Sequence, residues 1–101
     1  MTTTTLTSVY TVPTGYYSVF NISVTNTASA TATIRIAIST SSTAGSINAG
    51  EYIEYGTNIV GNGVFERTGL VANAGMYVWV YTTGASNTVN VTVYGIETST
   101  S

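Results

Sequence analysis

Six charged side chains are present in this 101-residue chain: Arg35, Glu51, Glu54, Glu66, Arg67 and Glu97. Lys, Asp, His and Cys are all missing, and the chemistry left over is narrow. Four carboxylates formally allow the acid–base pair of a glycosidase. Glu51 and Glu54, however, are three residues apart, and in an extended strand that spacing sends them to opposite faces. Asn, Thr and carbonyl oxygens could ligate calcium, but no loop has a calcium-binding pattern. Zinc, haem and iron–sulfur sites lack the His or Cys they need, and nucleophilic triads lack a base. The chain therefore reads as a non-enzyme with no cofactor and no metal. Two arginines on a net charge of −2 cannot neutralise a run of phosphates, which argues against nucleic acid and against an anionic membrane surface.

The aromatic residues are more informative. Tyr77, Trp79 and Tyr81 alternate with Met76, Val78 and Val80, so one face of an extended 76–82 segment carries three large rings. Three readings fit that stripe: an interface, a sugar-stacking platform, or plain core, with the strand buried on both sides or the aromatics packed beneath a loop. In EYIEY, strict alternation groups Tyr52 with Glu54 and sets Glu51, Ile53 and Tyr55 opposite. Glu66 and Arg67 are adjacent, so they cannot pair with each other in a regular strand. Arg35 or Arg67 is expected to pair with a cross-strand glutamate or a neighbouring subunit. The interface candidates are thus Tyr77, Trp79, Tyr81, Tyr52, Tyr55, Arg35 and Arg67, joined by Thr3, Thr4 and Thr5 of the leader. Two glycosylation sequons, at Asn21 and Asn90, are chance matches in a chain this rich in Ser and Thr.

The elements that carry these residues have a period of two. ATATIRIAIS sets Ala30, Ala32, Ile34, Ile36 and Ile38 against Thr31, Thr33, Arg35, Ala37 and Ser39. YYSVFNISVTN points Phe20, Ile22 and Val24 inward, and TVNVTVYGI does the same with Val89, Val91 and Val93. The polar positions are filled by 21 Thr, 11 Ser and 8 Asn, which suit pleated surfaces and leave a surface with little charge repulsion. Turn signals recur at Pro13–Gly15, Asn26–Ser29, Asn62-Gly63, Asn73–Gly75 and Gly84–Asn87. Asn62-Gly63 has the composition of a hairpin turn. The irregular stretch 39–50 is expected to cross between sheets or lie over an edge. About eight strands follow (6–12, 16–25, 30–39, 51–55, 57–60, 64–68, 76–82 and 88–96), so the fold class is all-β: an antiparallel β-sandwich, jelly-roll-like or immunoglobulin-like. Residues 6–97 form one domain between a Thr-rich arm (1–5) and a short tail (98–101). No 18-residue apolar run is present, and MTTTTLTSVYTV has neither the basic nor the apolar region of a secretory signal.

Taken in order, YTVPTG, VTNTASATATIRIAIS, EYIEYGTNI, GVFERTGLVANAGMYVWVYTT and VNVTVYGIE resemble small virion structural proteins of tailed bacteriophages, notably marine and cyanobacterial ones, over residues 9–97. The most specific pieces are EYIEY with GV-x-ERTG and the terminal VYG-I-E. At Gly56 the chain departs from the acidic residue that follows EYIEY in the family, which weakens any shared ion site there. The resemblance implies a non-enzymatic β-domain on the virion. It would be a capsid decoration (cement) protein that binds and stabilises the assembled head, or alternatively a tail, neck or fibre module contacting the host. It also implies the major capsid protein or other virion proteins as partners, and a homo-oligomer, trimer or dimer. A carbohydrate-binding module using Trp79, Tyr77 and Tyr81 is the remaining alternative.

Overall fold

A computed structural model describes residues 6–83 and 89–99. Among these residues are seven strands: β1 (Thr7–Thr11), β2 (Tyr16–Asn26), β3 (Ala32–Ser39), β4 (Tyr52–Ile59), β5 (Val64–Ala72), β6 (Tyr77–Thr82) and β7 (Val89–Ser99). They form two antiparallel sheets in the orders β1-β6-β3-β4 and β5-β2-β7. The protein is a β-sandwich. The leader with Thr3, Thr4 and Thr5, and the turn at Gly84–Asn87, lie outside the described residues.

Alternation places the core as the sequence implies. Phe20, Ile22 and Val24 of β2 face Ile34 and Ile36 of β3 and Val78 and Val80 of β6, all fully buried, with Val12 and Val89 closing the ends. Each buried Val, Ile or Phe contributes about 1.5–3 kcal/mol relative to exposure, and no disulfide supplements them.

The strand count falls from eight to seven because Gly56 does not end a strand. It has φ +78° and sits between Tyr55, opposite Arg35, and Thr57, opposite Ile34. One residue of β4 thus faces none on β3, forming a bulge whose left-handed residue is glycine. Segments 51–55 and 57–60 are one bent strand. Gly69, with φ +69°, does the same for β5. Thr68 and Gly69 together oppose Asn21, whose Oδ1 accepts the Gly69 N–H at 3.0 Å, so the strand runs past residue 68 to Ala72. At the C-terminus β7 continues through Thr98 and Ser99, which pair with Tyr17 and Tyr16, so half of the expected tail belongs to the sheet.

Two connections also differ from expectation. Every link except β3–β4 passes from one sheet to the other. The Asn62-Gly63 turn is therefore a corner of the sandwich and not a hairpin: β4 pairs with β3, and β5 with β2. Its geometry is still that of a tight turn, with Gly63 N–H donating to Val60 O at 2.9 Å and Asn62 at φ 58°. Conversely, residues 40–51 join neighbouring strands of one sheet. They carry two short 3-10 turns (Ala44–Ser46 and Ala49–Glu51) over its outer face, which is why Ala37 and Ser39 are buried although their phase points them outward.

Asn26 binds two corners together. Fully buried, it donates from Nδ2 to Ala30 O at 2.8 Å and to Ile59 O at 3.2 Å, and it accepts the Ala28 N–H at 3.1 Å. Its own N–H donates to Gly63 O. Asn26→Ala leaves the buried Ile59 carbonyl without its donor, and the expected loss is about 1–3 kcal/mol of unfolding free energy. A urea titration checks this, and the midpoint should fall while the slope stays constant.

Candidate interaction face

Among the described residues, the candidates other than Arg67 converge on the outer face of the four-stranded sheet, where β6, β3 and β4 lie side by side. Arg35 of β3 is opposite Tyr81 of β6 on one side and Tyr55 of β4 on the other. Its guanidinium is stacked between the two rings, 4.2 Å from the Tyr55 centroid and 4.6 Å from that of Tyr81. Cation–π attraction and cross-strand pairing both favour this stack. The same ladder sets Ala37 between Trp79 and Tyr52. Tyr52 joins Tyr55 edge-on, with centroids 5.1 Å apart.

That last contact overturns the grouping of Tyr52 with Glu54. Ile36 is opposite Glu54 but Ala37 is opposite Tyr52, so Ile53 is an extra residue and the phase of β4 slips there. Tyr52 and Tyr55 come to one face and Glu54 to the other. Beside the two tyrosines, Ile47 and Ala49 of the 40–51 segment complete a cavity of about 390 Å³.

Trp79 does not extend the platform. It is 6% exposed, and its indole N–H donates to Ser41 O at 3.1 Å, so the 40–51 segment covers its ring. Tyr77 lies alongside it, tilted, at 6.3 Å. The tryptophan on which the sugar-stacking reading depends thus offers no open face to a pyranose. It supports the crossover instead, as an indole with a satisfied polar tip does when buried.

Arg67 is remote from this face. Its Nη1 pairs with Glu54 Oε1, tying β5 of one sheet to β4 of the other along one open side of the sandwich. Glu54 also accepts the Thr57 hydroxyl at 2.6 Å. Both partners of the ion pair are partly solvated, so it contributes about 0.2–1 kcal/mol. On the opposite side Tyr10 of β1 donates to Glu97 of β7 at 2.6 Å, above a cleft of about 330 Å³ lined by Phe20, Ser18 and Val93. Glu66 points away from Arg67, as adjacency requires, and accepts the Tyr94 hydroxyl at 3.1 Å. Glu51 accepts the Asn48 N–H at 2.8 Å; that bond, and a second from Ser39, hold its carboxyl below the usual range. No cluster of three metal-ligating acids occurs among the described residues.

A second exposed surface did not emerge from the aromatic pattern. On the outer face of the three-stranded sheet, Val71, Val19 and Ile96 form one cross-strand row, exposed by 59%, 43% and 71%. The phase of 16–25 that buries Phe20 already implies an outward Val19; that its neighbours are also apolar depends on register.

Burial first, and the bond to Glu97 second, raise the Tyr10 phenol above its ordinary value. A neutral phenol favoured in the fold contributes stability that is complete below about pH 10. That stability is lost as pH rises through the elevated folded value. Stability should therefore fall above pH 10, and Tyr10→Phe should flatten that limb; thermal unfolding from pH 8 to 12 reads both outcomes.

Comparison with family models, with curated proteins and with solved structures gives no match for this chain.

Proposed function

We propose that this protein is a non-enzymatic structural component of a tailed-bacteriophage particle, a decoration (cement) protein that docks on the assembled head and reinforces it. The observation that carries the reading is the Tyr81–Arg35–Tyr55 stack with Tyr52, a half-exposed aromatic and cationic platform. Aromatic residues and arginine are the types that dominate binding energy at interfaces. Weak contacts of this size become effective when repeated across a lattice of identical sites. The segment resemblance to phage virion proteins supplies the partner class, the major capsid protein.

Self-association is the companion proposal, through the free edge of β7. This strand pairs with β2 through an unbroken register from Tyr16↔Ser99 to Asn26↔Val89. Between Asn90 and Thr98 it has no Lys, no Pro and no bulge, three of the devices by which edge strands resist pairing, and its one charge, Glu97, is held by Tyr10. Its outward Ile96 continues the Val71–Val19 row, so antiparallel pairing of two β7 strands would extend one apolar ridge across both copies.

Two measurements test these readings. Purified protein is titrated onto heads depleted of it. Saturation at a stoichiometry set by the shell lattice, with a raised head melting temperature, is expected. Attachment confined to the tail would move the protein to the tail or fibre class, and no attachment would end the reading. Separately, Ile96→Lys should lower the mass seen by sedimentation equilibrium to that of one chain while changing unfolding free energy by no more than about 0.5 kcal/mol.

A further inference from the structure

We infer that Arg35 is a carboxylate receptor: its stacked guanidinium takes a Glu or Asp side chain from the protein on which this face docks. The inference rests on reading that face as the docking surface and specifies the partner's chemistry.

The argument is a charge inventory. Each of the four glutamates already has an internal partner: Glu51 the Asn48 amide, Glu54 the Arg67 guanidinium, Glu66 the Tyr94 hydroxyl and Glu97 the Tyr10 hydroxyl. Of the two arginines, Arg67 is committed to Glu54. The Arg35 guanidinium makes no hydrogen bond or ion pair with any described residue, and its only contacts of note are the two ring faces. Rings on both sides hold the group through its π contacts and use none of its N–H donors, which meet no acceptor among the described residues. The rings also hold that plane still, which lowers the entropy lost when a bidentate acceptor binds. A carboxylate is the planar two-oxygen acceptor that matches the fork.

The surroundings narrow the partner further. Tyr55 is shared between the stack and the cavity of about 390 Å³ formed with Tyr52, Ile47 and Ala49. A carboxylate seated on Arg35 therefore brings the residue beside it over an apolar, aromatic-walled recess. The partner segment is an acidic residue next to an aliphatic one, on a protein surface. A second copy of this chain is disfavoured, because each of its glutamates is already engaged by a group of its own chain.

The test uses the full-length protein and two capped peptides, acetyl-Leu-Glu-Leu-amide and its Gln counterpart, followed by the side-chain Nε–H resonances of the two arginines. The Glu peptide should shift Arg35 and the amides of Ile47 and Ala49, leave Arg67 in place, and bind at least about tenfold more tightly than the Gln peptide. Arg35→Lys keeps the charge but loses the planar fork, and should lose most of that preference; its thermal unfolding serves as the folding control. Equal response to both peptides, or no Arg35 shift up to about 10 mM peptide, overturns the inference. Heads that bind Arg35→Gln as well as the natural chain overturn it too, while leaving the docking reading standing. A Glu-selective response in a protein that ignores heads supports the receptor and removes the docking reading.

Discussion

Burial of one pleat of β2 against one pleat of β3 is the constraint to which every other feature of the chain answers. Both are inner strands of their sheets, and each carries an alternating set, Phe20-Ile22-Val24 and Ile34-Ile36, that is fully shielded from water. A slip of one residue in either strand would exchange this core for Asn, Ser, Thr and Arg. Once the phase is set, Arg35 must point outward, and its register neighbours on both sides, Tyr55 and Tyr81, must meet it. The stack on the surface is thus a by-product of the core's alternation, which places it by register.

The few charges divide the work of closing the sandwich. Stacked sheets leave two open sides, and each is bridged by a polar contact, Glu54–Arg67 on one and Tyr10–Glu97 on the other. Neither bridge is strong, since both reach solvent. Their role is better described as alignment, because each fixes one edge strand against the strand facing it. The neutral remainder can be covered at little cost, since hydroxyls and amides hydrogen-bond without the desolvation cost of a charge. On such a surface Arg35, with no ion-pair partner among the described residues, stands out.

The glycine bulges connect the backbone to the face. Gly56 bends β4 just past Tyr55, and the extra residue at Ile53 rotates Tyr52 to the same side. Without these two irregularities the aromatic pair would be split between the faces, and the cavity beside Arg35 would lose a wall. Bulges of this kind re-aim side chains at the cost of one ladder position.

Alternation of Val, Ile and Thr by itself determined that the chain is an antiparallel β-sandwich, which pleat of β2, β3, β6 and β7 turns inward, and that Glu66 and Arg67 part company. Those conclusions follow from the two-residue period of a strand, a local property written in adjacent positions. Tertiary structure alone decided that the Asn62-Gly63 turn is a corner and not a hairpin, that Trp79 lies beneath the 40–51 segment, and that Tyr52 joins Tyr55. It alone set Arg35 between two rings and Arg67 against Glu54. Each of these depends on which strands become neighbours and on where a bulge shifts the register. Strand order and bulge position are chosen by how the two sheets pack, by contacts between residues far apart in the chain that no local pattern encodes.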